Sequence, residues 1–249
     1  MPMDYDSRSV LAIIPVYDEV EKIGEVISNF SKKFVDEICI VLDSPTTMIR
    51  NEIKYSAKKI DVPIHLIENF RRRGIGFAIR LGIQYALNNS FDIIIVLAGN
   101  NKDNPREIPR FLDAIIHDNY DYVQGSRFVT GGNHDGTPIL RGIFVRLYPL
   151  FWSILTKVPC TDVTNGFRAY RTEIFRDKRI NILQDWLDSY ELEYYIHYKV
   201  LTLGYRTREV PVSKIYPYRN KGGYSKINPF RDFWNILRPL FYLALGIRS

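Results

Sequence analysis

Asp92-Ile-Ile-Ile-Val-Leu-Ala98 is an unbroken aliphatic run that ends abruptly in Gly99-Asn-Asn-Lys-Asp-Asn-Pro105. Such a run reads as a strand buried on both faces, which calls for a parallel sheet covered by helices. The first half of the chain repeats the theme. Val10–Val16, Glu37–Asp43 and Val62–Ile67 are further apolar runs, each followed by a helical pattern. Val20, Ile23, Val26 and Ile27 share one face of the first helix, and Ser44-Pro-Thr-Thr47 opens the second. Ile75, Ala78, Ile79, Gly82, Ile83, Ala86 and Leu87 fall at i, i+3, i+4, i+7 spacing in the third. Pro105–Ile116 predicts a fourth helix and Asp121–Phe128 a fifth strand. Strand–helix units repeated every ~30 residues predict an α/β fold with a mostly parallel, doubly wound sheet. Ligands in such sheets bind at the carboxyl ends of the strands. Those ends carry Asp18 and Glu19, Asp43, Asn69 with Arg71–Arg73, and Asn100–Asp103.

The second half is less regular. Thr130–Pro138 is glycine-rich, Ile139–Val158 is a long apolar helix, and Thr161–Arg171 packs polar and aromatic residues tightly. A helix is expected over Trp186–Leu203, a strand over Arg208–Ile215, and a basic flexible loop over Arg219–Lys226. With 249 residues the chain is read as one domain, 1–228, with a tail at 229–249. The regular half is read as residues 1–105 and the less regular half as 106–228.

Formal charge is +6, which favours phosphate-bearing partners. The basic residues form no stripe and no helix-turn-helix or RNA-binding motif, so nucleic acid is set aside. Cys39 and Cys160 sit in apolar segments without metal-ligand spacing and read as packing residues in a reducing compartment. The polar, acidic stretch Met1–Ser9 has no signal-peptide character. The expected location is cytoplasmic, peripheral at the inner face of the membrane. Gly74-Ile-Gly76 lacks the third glycine and the distant acid of a dinucleotide fingerprint, so NAD is excluded. His65, His117, His134 and His197 show no ligand spacing.

Six strings in order resemble family-2 glycosyltransferases of the GT-A fold, closest to the branch that uses polyprenyl (dolichyl) phosphates. IIPVYDE (Ile13–Glu19) resembles the opening "PVYNE", and VLDSPTT (Val41–Thr47) stands where "VDDGSTD" is expected. RRRGIGFAIRLGI (Arg71–Ile83) resembles "N-x-G-x-G-x-A-x-R-x-G". YVQGSRFVTGG (Tyr122–Gly132), TDVTNGFRAYR (Thr161–Arg171) and EVPVSKIYPYRNKGGYSK (Glu209–Lys226) resemble the branch's later segments. The resemblance implies transfer of a sugar from a nucleotide sugar to a lipid-phosphate or glycan acceptor, with inversion at the anomeric carbon. It places Pro15, Tyr17, Glu19, Asp43, Arg73 and Gly74 at the nucleotide, with Asp43 accepting hydrogen bonds from base or ribose at a solvated strand end. Ser126, Arg127 and Arg141 match acceptor-phosphate residues, braced by Asp162 and Asn165, while Arg168 reads as structural. The base of the family is an acid on a late helix. Glu193 stands at the matching distance from Gly204, and Glu191 is the alternative, on the opposite side of that helix.

One departure stands out. The family ends its fourth strand with an acid pair that holds Mg2+ or Mn2+ against the donor diphosphate, and here Ala98-Gly99-Asn100 occupies that triplet. Hard cations want charged oxygens. Either Asn100 and Asp103 hold a metal weakly, or Lys102, Arg73 and the loop with Arg219 and Lys226 neutralise the diphosphate with little or no metal. Loss of the acids also opens a rival reading, a catalytically silent relative that binds a nucleotide or partner.

The tail from Phe230 to Ile247 is amphipathic. Arg231, Asn235 and Arg238 share one face and Phe230, Phe233, Trp234, Leu237 and Phe241 the other. Pro239 is expected to break or kink it. The uncharged run Pro239–Ile247 is far shorter than the ~20 residues a bilayer span needs. The expectation is an interfacial segment on a membrane surface, or else packing on the domain or in a homo-oligomer.

Overall fold

The computed structural model describes residues 8–134, 139–214 and 232–248, with 139–143 and 232–236 described by backbone alone. The first half follows the expected order: β1 (Val10–Val16), α1 (Val20–Ser28), β2 (Glu37–Asp43), α2 (Thr47–Ala57), β3 (Ile64–Asn69), α3 (Ile75–Asn88) and β4 (Ile93–Val96). A 3-10 turn at Pro105–Glu107 then leads into α4 (Ile108–Ile116), followed by β5 (Tyr122–Ser126). The second half adds α5 (Ile139–Thr156), β6 (Arg168–Arg171), α6 (Glu191–Thr202), β7 (Thr207–Pro211) and α7 (Asp232–Ala244).

All seven strands form one sheet in the order β3-β2-β1-β4-β6-β5-β7. The pairs β1–β2, β2–β3, β1–β4 and β5–β7 are parallel, and β6 runs antiparallel to both of its neighbours. The sequence gives no strand signal for β6, because Arg168 and Arg171 interrupt the apolar pattern. Both guanidiniums find backbone carbonyls instead: Arg168 donates to Asn165, Val163 and Glu193, and Arg171 to Tyr120 and Ile115.

Successive residues of a strand face opposite sides, and the core divides accordingly. Val10, Ala12 and Ile14 pack in the layer that contains Ile23, Val26, Ile49, Phe111 and Leu112, from α1, α2 and α4. Leu11 and Ile13 pack in the other, with Ala78, Ile79 and Ile83 of α3, Trp152 of α5 and Tyr195 and Ile196 of α6. Cys39 and Cys160 are free and buried; burial pushes the Cys39 thiol up to about 12.

Several expected boundaries move. β3 starts at Ile64 because Pro63 has no amide to give the ladder, although its carbonyl accepts from Ile38 at 2.9 Å. The expected helix at Trp186 begins at Glu191, after a separate 3-10 turn at Asp185–Leu187. α7 runs through Pro239 without ending there.

The tail packs on its own domain, one of the two expected alternatives. Leu237 and Leu240 pack against the core, Leu243 is buried in it, and Trp186 meets Tyr242 edge-on at 5.9 Å. Arg238, expected on the wet face, pairs with the buried Glu191. Phe241 stays exposed. No described helix is long and apolar enough to cross a membrane.

Candidate active site

Because β1, β2, β3 and β4 are parallel, their carboxyl ends share one edge, and the chain builds a rim there from acids that hold backbone amides. The Glu19 carboxylate accepts from the amides of Tyr17 at 2.7 Å and Asp18 at 3.1 Å, closing the turn into α1. Asp43 accepts from the Asn69 side-chain amide at 2.7 Å, the Gly74 amide at 2.8 Å and the Arg73 amide at 3.0 and 3.1 Å. It is 5% exposed. Asp43 is therefore not the solvated acceptor the sequence suggested: it shapes the loop leading into α3. Pro15 is likewise buried within β1, opposite Val41.

That loop presents guanidiniums. Arg72 lies 4.0 Å from the Tyr17 ring, and Arg73 lies 4.0 Å from the Phe77 ring while donating to Asp188 at 2.7 and 3.1 Å. Arg73 keeps 42% side-chain exposure. Asp188 also pairs with the buried Arg80. Gly74, at φ +120°, is confined against residue 188: a Cβ there would stand 2.6 Å from the Asp188 carbonyl oxygen. At Gly76 it would stand 2.3 Å from the carbonyl oxygens of both Leu187 and Ser189. The α3 entrance and the segment before α6 are thus in backbone contact, which is why glycines stand there.

In the loop after β4, Asn100 Oδ1 accepts from the Lys102 amide at 3.2 Å. Asn104 caps the following turn through the Arg106 amide at 3.1 Å. Asp103 turns inward, 1% exposed, and accepts from Lys214 Nζ at 2.8 Å. The same ammonium donates to Asn165 Oδ1 at 3.0 Å. This corrects the expected metal pair. Ala98 and Gly99 bring no side-chain oxygen, Asn100 brings a neutral amide, and Asp103 already faces a cation. Among the described residues no group of three His, Cys, Asp or Glu side chains could hold a metal ion. The donor set does not fit Mg2+ or Mn2+.

The opposite wall is made by β5, the Thr161–Phe167 segment and the end of β7. Ser126, fully buried, shares a 2.6 Å hydrogen bond with Thr161 Oγ1. Arg127 makes two 2.6 Å bonds to Asp162 and a third to Thr164 at 2.8 Å. The expected phosphate clamp is therefore turned into the protein here: Ser126, Arg127 and Asp162 build the wall rather than line it. Glu209 accepts from the Thr161 amide and hydroxyl, both at 2.7 Å, and from the Asp162 amide at 3.1 Å; burial nonetheless raises its pKa. Arg168 is structural, as expected. Behind the wall, burial and the Arg168 charge hold His197 well below the ordinary imidazole range, and its Nδ1 meets the Tyr122 hydroxyl at 3.0 Å.

The two candidate bases separate cleanly. Glu191 is fully buried and serves Arg238, so it is a structural acid. Glu193 reaches the wall: its Oε1 lies 3.0 Å from where a Cβ would stand on Gly166, and 4.0 Å from Arg168 Nε. The Arg141 side chain, Arg219 and Lys226 lie outside the described residues. Sequence reasoning missed Asp188, Lys214 and Arg146. Asp188 belongs to no recognisable string, Lys214 lies inside the Glu209–Lys226 string without standing out in it, and both gain meaning only through distant partners. Arg146, exposed on α5, approaches His134 at 3.1 Å and the Phe128 ring at 5.5 Å.

Comparison with known proteins places this geometry. Residues 11–178 match the family model "Glycosyl transferase family 2". The chain is 25% identical over 204 residues to an undecaprenyl-phosphate mannosyltransferase of Micrococcus luteus, covering 82% of each chain. It is 25% identical over 227 residues to a dolichyl-phosphate hexose transferase of Haloferax volcanii, covering 91% of this chain and 90% of that one. Among solved structures, glucosyl-3-phosphoglycerate synthase of Mycobacterium tuberculosis, in complex with Mn2+, UDP and phosphoglyceric acid, superposes with a TM-score of 0.66. That match has 14% identity and covers 97% of this chain and 78% of that one. The match runs from β1 through the rim at the strand ends to β6 and beyond, so the chain belongs to glycosyl transferase family 2 and is a sugar-transferring enzyme.

Proposed function

We propose that this enzyme moves a hexose from a nucleotide sugar to a polyprenyl phosphate at a membrane surface. The acceptor-phosphate oxygen forms a bond to the anomeric carbon as the bond to the nucleoside diphosphate breaks, inverting that centre. An ionised phosphate needs no strong base; for a hydroxyl acceptor, Glu193 is the group placed to take the proton. The nucleotide sits over the rim formed by Tyr17, Glu19 and the Asp43-supported Arg73–Gly74 loop. Arg72, Arg73 and Lys102 supply positive charge there against the leaving diphosphate.

The observation that carries the lipid acceptor is an apolar stripe on α5. Leu147, Leu150, Phe151 and Ile154 recur at i, i+3, i+4, i+7 and are all exposed. The helix borders the acceptor wall at two points. Arg146 meets His134 and Phe128, and Ser153 Oγ accepts from the Cys160 amide at 3.0 Å. No acid occurs between Ile139 and Val158, while Arg141, Arg146 and Lys157 do. A helix with exposed aliphatic and aromatic residues and only cations suits an anionic lipid interface. The relatives' printed names, undecaprenyl-phosphate and dolichyl-phosphate transferases, support the same acceptor class.

The test is a donor screen by thermal shift with UDP-, GDP- and dTDP-sugars, followed by turnover on a short polyprenyl phosphate. The expected product is a lipid-linked sugar phosphate. Turnover on free glycan or phosphoglycerate acceptors, with none on the lipid phosphate, would replace this reading.

A further inference from the structure

The loop that has lost its acid pair has gained a lysine from elsewhere in the chain. Lys214 follows β7 and forms an isolated antiparallel bridge with Asp103, so this segment lies directly against the loop after β4. Its ammonium is gripped by one oxygen from each side of the cleft: Asp103 Oδ1 at 2.8 Å and Asn165 Oδ1 at 3.0 Å. Gly166, the next residue, borders the Glu193 carboxylate. The cation therefore stands where the fourth-strand loop, the acceptor wall and the candidate base converge.

Two further observations set this apart from an ordinary structural ion pair. A buried structural network is normally fully satisfied. Here Asp103 Oδ2 and Asn165 Nδ2 are both buried without a hydrogen-bond partner among the described residues. The two residues that hold the ammonium thus keep polar capacity that the fold itself does not use. An ammonium also has three donors, of which Asp103 and Asn165 take two, and the Lys214 side chain retains 11% exposure.

On the reading that the chain binds a sugar nucleotide, we propose that Lys214 is the built-in cation of the donor site. Its ammonium meets the charge that grows on the leaving diphosphate, in a loop whose own side chains do not fit a divalent ion. Asp103 and Asn165 are positioning residues that hold it there.

Binding titrations on the full chain test this, using whichever of UDP, GDP and dTDP the wild type binds. Affinity should change less than about threefold between Mn2+ and chelator. Lys214→Met should weaken nucleoside diphosphate binding about ten- to hundredfold, the range of a charge-assisted hydrogen bond, while the matching nucleoside binds as before. Because that variant leaves Asp103 buried without its counter-charge, the double variant Asp103→Asn/Lys214→Met is the controlling measurement. It removes both charges together and should show the same selective loss. A double variant that binds the diphosphate like wild type makes the lysine merely structural and overturns the proposal. So does a wild type whose diphosphate binding collapses in chelator, which leaves sugar transfer standing but hands the charge to a metal. A wild type that binds none of the nucleotides in either buffer sinks the donor reading first, and the role of the lysine with it.

Discussion

The rim at the strand ends and the wall opposite it use the same residue types in different ways. On the rim, acids hold backbone amides: Glu19 closes the α1 turn and Asp43 gathers the amides of Arg73 and Gly74. The rim arginines stay at the surface, spread over aromatic rings. On the wall, Arg127 and Asp162 pair side chain to side chain and vanish from the surface. Arg127 and Asp162 are 1% and 0% exposed. A rim built this way keeps its cations available to an incoming phosphate. The Arg127–Asp162 pair has spent both of its charges on the shape of the wall.

The largest expected effect follows from that contrast. Arg127→Ala leaves Asp162 as an uncompensated buried acid, so chemical denaturation should show a loss of ~3–5 kcal/mol. A variant of wild-type stability with only weaker acceptor use would return Arg127 to the phosphate and erase the distinction between wall and rim. Asp43→Ala should act more locally. Removing the acceptor for three groups should cost ~1–3 kcal/mol and speed hydrogen exchange at the Arg73 and Gly74 amides, with nucleotide affinity falling in step. Nucleotide affinity lost while those amides remain protected would mean that Asp43 touches the nucleotide itself. Smallest in stability is Arg73→Ala, since a half-exposed ion pair contributes ~0–1 kcal/mol. Its effect should appear instead as weaker binding of the nucleotide, and a denaturation midpoint shift larger than that of Asp43→Ala would reverse the order.

The same contrast explains what could be read in the sequence. β1 and β2 were visible residue for residue, because apolar runs and amphipathic helices are local patterns that a parallel sheet preserves. The family strings point to both sides of the candidate site for a related reason, since each is a short local pattern. The direction in which a charge points is not local. Asp43, Arg127 and Glu191 all carried the right chemistry for a ligand, and each was claimed by a partner 26 or more positions away. Lys214 shows the converse. It sits inside the family-like string Glu209–Lys226 but acquires its meaning only from Asp103 across the cleft. β6 escaped notice because its arginines are satisfied by carbonyls from segments that only the folded chain brings near.

The position of β6 has a consequence for the order in which the molecule can assemble. During synthesis β1 to β4 emerge first and can pair among themselves as near-neighbours in the chain. The free side of β4 stays bare until Arg168–Arg171 has been made, because no earlier strand fills that place. An apolar strand with an unpaired edge invites mispairing with another chain. β5 precedes β6 in sequence yet depends on it to join the sheet, so the late antiparallel strand closes the structure from its middle. The nascent chain is therefore most exposed to aggregation while Leu97 to Phe167 is being added, and slowing elongation over that interval should lower the yield of folded enzyme.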